Sequence, residues 1–339
     1  MKKILIVRMS AIGDVVFASL LAKSIKLSYP NAKIYWLIEP AAKEIMECNP
    51  YLEKVIEFPK PQLSKLLKEK RLLKLIKEFF YFIKQIRAYK FDTSIDAQGL
   101  IKSAIFARLC GANKRYGFRS KEFSHLLLTD TTDKDGEKEQ FASEYYHLIK
   151  FMKTDDSVLP KLHLCKRFHQ KAQQLIKQHN LQNGFIAIAP FTTRPQKHWF
   201  ISSWQELIFM IYDKIKLPAV ILGAPNNNQD AIEIIQNSQA INLCGQTTIG
   251  EAAALISYSS LTIGVDTGLT HISIAQMRPT IALFGSTVPY LKTHNPKAKI
   301  IYHKLSCSPC RKHPTCNGSF DCMKLIKPDE VLKSAMELI

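Results

Sequence analysis

The stretch VRMSAIGDVVF, residues 7–17, decides how the chain begins to fold. It follows an apolar run, KILIV (3–7), and leads into VVFASLLAKSIKLSYP (15–30), whose apolar residues recur at helical spacing. Strand, turn and helix in that order open an α/β unit, and such a turn often binds phosphate. Here it holds one glycine, Gly13, and places a carboxylate, Asp14, at the start of the helix. A negative charge where an anion would sit needs a reason. A helix cap is the plain structural one.

The totals bound the answer. At 339 residues the length suits about two domains, each able to bury its own core. A hydrophobic content of 46% is that of a globular protein. No run of about 18 apolar residues is present, so no membrane-spanning segment is expected. The start of the chain lacks a signal-peptide layout, so a cytoplasmic location is expected. The balance of 47 Lys+Arg against 29 Asp+Glu gives net +18 and predicts an anionic partner.

Strands and helices alternate through the first half: KILIV, AKIYWLIE (32–39), KVIEFP (54–59) and FDTSIDAQG (91–99) read as strands, with SAIFARLCG (103–111) as a helix. A second alternation runs through FIAIAP (185–190), PAVILGAP (218–225), AINLCG (240–245), LTIGVD (261–266) and PTIALFGS (279–286). The pattern predicts two doubly wound Rossmann-like α/β domains facing across a cleft, with ligands at the carboxyl ends of the strands. The expected divisions are 1–165, 166–325 and a C-terminal helix, 326–339, packing back on the first domain.

Residues 60–90 read as one basic amphipathic helix, with ten lysines and arginines facing only Glu69 and Glu78. Its apolar positions, Leu66, Leu67, Leu73, Ile76, Phe80, Ile83 and Ile86, either pack on the sheet or lie on an anionic membrane surface. Its aromatics fall along the apolar stripe rather than between exposed basic residues, which disfavours nucleic acid as a partner. Residues 129–140 read as a polar loop containing Asp133-Lys134-Asp135. Cys48, Cys110, Cys165 and Cys244 read as small core residues. Cys307, Cys310, Cys316 and Cys322 cluster as structural thiols, a zinc site or a reversible disulfide, at spacings no standard zinc finger uses.

Chemistry concentrates after three strands of the second half. In APFTTRPQKHWF (189–200), Thr192, Thr193 and Lys197 offer hydroxyls and an ammonium to a pyrophosphate. In GVDTGLTHISIA (264–275), Asp266 ends a strand, Thr267 and Gly268 make the turn, and Leu269 and His271 enter a helix whose amides favour an anion. The asparagines of ILGAPNNNQD (221–230) are a weaker signal.

Together, MSAIGDVVF (9–17), TTRPQKHW (192–199) and GVDTGLTH (264–271), with DAQGLIKSA (96–104) and RYGF (115–118), resemble the bacterial lipopolysaccharide heptosyltransferases, glycosyltransferase family 9. The forms are most similar to heptosyltransferase I, which adds the first heptose to Kdo-lipid A. The resemblance implies a GT-B fold, with the acceptor on the first domain and ADP-heptose on the second. It also implies an inverting transfer that needs neither metal nor cofactor, at the cytoplasmic face of the inner membrane. On this reading Asp14 is the general base, Lys197 acts on the leaving diphosphate, and Thr192, Thr193, Asp266, Thr267, Gly268, Leu269 and His271 hold the nucleotide sugar. Ser10, Gly13, Arg115 and Arg119, with Arg8 and the lysines of 60–77, are expected at the acceptor. Two departures stand out. Phe141-Ala142-Ser143-Glu144-Tyr145 replaces the His-Ala-x-Glu-Arg stretch common in heptosyltransferase I, and the cysteine segment is more like that of heptosyltransferase II.

Overall fold

The computed structural model describes every residue except Lys138 and Lys312. The chain divides into two units, Met1–Lys138 with Ala142–His163, and Glu139–Phe141 with Leu164–Ile339.

In the first unit, strands β1 (Lys3–Val7), β2 (Lys33–Ile38), β3 (Lys54–Glu57), β4 (Thr93–Asp96), β5 (Lys114–Phe118) and β6 (Asp130–Thr132) pair in parallel in the order β3-β2-β1-β4-β5-β6. Helices α1 (Ile12–Ala18), α2 (Leu20–Ser28), α3 (Lys43–Met46), α4 (Lys60–Lys68), α5 (Leu72–Ala88), α6 (Ile101–Leu109) and α7 (Ser143–Met152) complete it. β1 and β4 are the central pair and are covered on both faces, which is why KILIV and TSID carry almost no exposed side chain. The strand order reverses between them, and there open α/β sheets leave a crevice at the carboxyl edge.

In the second unit, β7 (Ile186–Ala189), β8 (Ala219–Ile221), β9 (Ile241–Asn242), β10 (Leu261–Val265), β11 (Thr280–Phe284) and β12 (Ala298–Tyr302) form a second parallel sheet, ordered β12-β11-β10-β7-β8-β9. This is the same winding repeated, with its reversal between β7 and β10. Helices α8 (Lys166–Gln178), α9 (Ile201–Ile215), α10 (Asn228–Ile235), α11 (Ile249–Tyr258), α12 (Gly268–Ala275), α13 (Asp321–Lys324) and α14 (Pro328–Leu338) accompany it. Separate apolar clusters fill the two faces of the sheet, one around Trp204, Ile263 and Leu283, the other around Phe168, Leu175 and Leu255.

Several expectations are corrected. Residues 60–90 form two helices, not one: Lys70 adopts a left-handed conformation (φ 55°), and the amides of Lys70 and Arg71 close onto Leu67 O (3.0 Å) and Leu66 O (2.9 Å). That double closure ends a helix, and the charged run Lys68-Glu69-Lys70 has no apolar side chain to carry it further. The loop expected at 129–140 begins with β6, paired with Tyr116–Phe118. The C-terminal helix, α14, lies on α9 and β11 and buries Val331, Leu332 and Ala335 in the second unit's core. Glu139–Phe141 also belongs to the second unit, held by the Gln140–Lys292 bridge and by the ring of Phe141 against Tyr290 at 4.9 Å. Cys48 is exposed rather than core, whereas Cys110, Cys165 and Cys244 are buried. β12 follows no helix and mixes lysine with isoleucine at a sheet edge, so its pattern is too short to read.

Candidate active site

Most of the residues named from the sequence gather at the two reversal points. In the second unit, Lys197 ends a short 3₁₀ turn after β7, Asp266 follows β10, and His271 lies on α12. Asp266 Oδ2 meets Lys197 Nζ at 2.5 Å, and its Oδ1 accepts from His271 Nε2 at 3.1 Å. Thr287 Oγ1 donates to the same carboxylate (2.6 Å), and Tyr290 Oη meets His271 Nδ1 at 2.6 Å. Burial alone would raise the Asp266 pKa, but the His271 hydrogen bond and charge and the Lys197 ammonium hold it well below the carboxylate range. Asp266 is therefore an ionised anchor that fixes two cationic or proton-bearing groups in one place. An ammonium has three donors, so Lys197 keeps two for a ligand.

The surrounding sequence holds this arrangement. In the Lys-His-Trp run, His198 Nε2 donates to Thr192 O (2.8 Å) and Trp199 Nε1 to Ile326 O (3.1 Å), so the neighbours fix the loop and Lys197 is left to act. Thr192 and Thr193 border it, Thr193 exposed. Thr267 precedes α12, and the amides of Gly268 and Leu269 belong to its first turn, where they lack intrahelical partners. Thr270 Oγ1 donates to Val265 O (2.7 Å), pinning the helix to the strand.

In the first unit, Asp14 stands in the first turn of α1 and forms an ion pair with Arg8, the residue after β1. Arg8 is buried (3%), while the Asp14 side chain is 43% exposed and open to a partner. Burial would lower the Arg8 pKa, but Tyr145, Asp14, Glu144 and Asp96 raise it. Arg8 thus sits beneath Asp14 as a fixed positive charge; its expected contact with acceptor phosphates is replaced by this pairing, because a buried guanidinium cannot reach out. The DAQG run explains itself here: Asp96 accepts from the amides of Gln98 and Gly99 (3.0 Å each), and Gln98 Oε1 accepts from Met9 N (3.1 Å). Burial pushes the Asp96 carboxyl up despite those bonds.

The other acceptor candidates separate. Ser10 lies in the turn between β1 and α1, and Gly13 in the first turn of α1 beside Asp14. Arg119 is exposed just past the carboxyl end of β5. Arg115 lies at the opposite, amino half of β5 and spends its guanidinium on the carbonyls of Leu127 (2.9 Å), Ala112 (2.9 Å) and Asn113 (3.2 Å), a structural role. Tyr145, in place of the arginine common in heptosyltransferase I, is buried with Arg8 5.9 Å over its ring. Thr287 and Tyr290 escaped the sequence reading, since they follow β11 in a segment with no motif. Cys307, Cys310, Cys316 and Cys322 are free thiols, and among the described residues no group of three or more potential ligands is placed to hold a metal.

Two doubly wound sheets, each with a charged constellation at its reversal point, define a GT-B-like glycosyltransferase. The chain matches the family model for glycosyltransferase family 9 (heptosyltransferase) over residues 79–320 and belongs to that family. It is 26% identical over 311 residues to lipopolysaccharide heptosyltransferase 1 of Escherichia coli K12, covering 85% of this chain and 89% of that one. Lipopolysaccharide heptosyltransferase 2 of the same strain is 24% identical over 366 residues, covering 99% and 98%. A solved Escherichia coli heptosyltransferase with ADP-2-deoxy-2-fluoro heptose has a similar fold (TM-score 0.74, 20% identity, 99% of each chain).

Proposed function

We propose that this heptosyltransferase moves heptose from ADP-heptose to Kdo of Kdo-lipid A, in lipopolysaccharide inner-core synthesis at the cytoplasmic face of the inner membrane. The observation that carries the reading is the Lys197–Asp266–His271 constellation beside the amino end of α12, suited to a sugar diphosphate. Asp14 takes the proton from the acceptor hydroxyl as its oxygen forms a bond to the anomeric carbon. The bond from that carbon to the diphosphate oxygen breaks, ADP leaves with the electron pair, and configuration inverts. Lys197 and the amides of Gly268 and Leu269 stabilise the charge developing on ADP, so the step calls for no metal. The ion pair with Arg8 aims Asp14.

A second reading makes the acceptor heptosyl-Kdo-lipid A. It is favoured by the cysteine segment, Cys307 to Cys322, which is more like that of heptosyltransferase II. The two readings part on one measurement: ADP release from ADP-heptose by the purified protein with each acceptor, alongside Asp14→Ala. Kdo-lipid A-dependent release, reduced about 10²–10⁴-fold in the variant, is expected. Release only with heptosyl-Kdo-lipid A would shift the enzyme one step along. Unchanged turnover in Asp14→Ala would remove the base assignment.

A further inference from the structure

One face of α5 carries apolar side chains where a solvated helix carries polar ones. Leu73 (88% exposed), Ile76 (52%) and Phe80 (63%) lie at i, i+3 and i+7 on one line, with Leu72 (56%) beside them. None is needed for packing, because Phe82, Ile83 and Ile86 already seat the helix on the sheet. The same line runs on through Lys84 and Arg87, with Lys77 on its border, all exposed. Among the described residues, none of these three cations meets a carboxylate, whereas Lys65 and Arg71 both pair with Glu69. Glu78 lies on the opposite flank of α5, where it lines a groove with Glu57, Tyr81 and Phe82. On α5 itself the charges that border this stripe, Lys77, Lys84 and Arg87, are therefore positive.

We infer that this face of α5 seats in the headgroup and acyl boundary of an anionic phospholipid bilayer. A stripe of leucine, isoleucine and phenylalanine flanked by lysine and arginine matches that boundary in both polarity and charge: the rings and branches enter the acyl region while the cations stay at the phosphates. A second copy of the chain would bring like charges together on this stripe, and a nucleic-acid backbone would leave Leu73 and Ile76 unsatisfied. With no helix among the described residues long and apolar enough to cross a membrane, surface attachment is the contact this helix provides. The inference rests on the proposed membrane-face location and names the surface that makes the contact.

The test is co-sedimentation of the full chain with vesicles of phosphatidylglycerol and phosphatidylcholine, compared with phosphatidylcholine alone. Two variants accompany it, Leu73→Ser/Ile76→Ser/Phe80→Ser and Lys77→Gln/Lys84→Gln/Arg87→Gln, at exposed positions where unchanged melting curves are expected. The wild type should bind the anionic vesicles, and salt should weaken that binding. The apolar variant should lose about 10²-fold in partitioning, and the charge variant roughly fivefold per cation removed. Equal binding by all three proteins, or equal binding to both vesicle types, overturns the proposal. Self-association that disappears in the apolar variant, with vesicle binding unchanged, assigns the face to a second copy instead. ADP release on detergent-dispersed acceptor reports the reaction separately: failure there counts against the proposed transfer and leaves the sedimentation result standing.

Discussion

At the scale of single residues, ion pairs with one largely buried partner fix the polar side chains of the candidate site. Arg8 beneath Asp14 and Asp266 beneath Lys197 and His271 follow the same logic, since a group held at one end presents its other end in a fixed direction. Asp266 yields a pH prediction. Its folded pKa lies below the unfolded value of about 3.9, so its contribution to stability is complete above that value and is lost as pH falls through the lower, folded one. The stability difference between wild type and Asp266→Ala, measured by denaturant unfolding, should be about 3–5 kcal/mol and constant from roughly pH 5 to 8. It should narrow only below about pH 4. A difference already shrinking at neutral pH would mean that another group sustains the pair. Asp14, Lys197, Asp266 and His271 were all legible in the sequence, because each stands in a motif directly after a strand. Tyr290 and Thr287 were not: they reach Asp266 and His271 from a stretch with no local signal, and only folding brings them there.

At the scale of elements, the close seating of α12 on β10 sets the position of the site. Gly264 makes that seating possible: a Cβ there would collide with Thr270 Oγ1 and stand 2.8 Å from Ala189 Cβ. Gly264→Ala should therefore cost about 1–3 kcal/mol, lowering the melting temperature by roughly 2–4 °C per kcal/mol in a chain of this size. ADP affinity should fall with it, since the amides of α12 move. A variant with wild-type melting and ADP binding would show that the helix tolerates a wider spacing. Element types were readable wherever apolar periodicity ran long, as in β1, β10 and α9. Boundaries were not where backbone pairing overrode pattern. β6 is polar in sequence yet pairs with β5, and the break at Lys70 depends on two backbone closures that side-chain periodicity does not encode.

At the scale of the whole molecule, one winding occurs twice, and the two copies carry different chemistry at equivalent points. The first presents a carboxylate above a buried arginine; the second presents a lysine at an anion-favouring helix start. This division predicts separable losses. ADP at about 100 times its dissociation constant should stabilise the wild type by about 2.7 kcal/mol. Asp14→Ala should keep that shift while losing turnover, and Lys197→Ala should lose both. Equal ADP shifts in Lys197→Ala and wild type would place the nucleotide elsewhere. The sequence by itself determined the doubly wound α/β class and the order of motifs along the chain, because burial on both faces writes unbroken apolar runs and strand-end turns leave polar clusters beside them. Only the tertiary structure decided which of those polar residues meet. Arg8 turns inward, Arg115 is spent on carbonyls at the wrong end of its strand, and α14 closes the second unit's core. Such outcomes depend on distances between residues far apart in the chain, which local spacing does not carry.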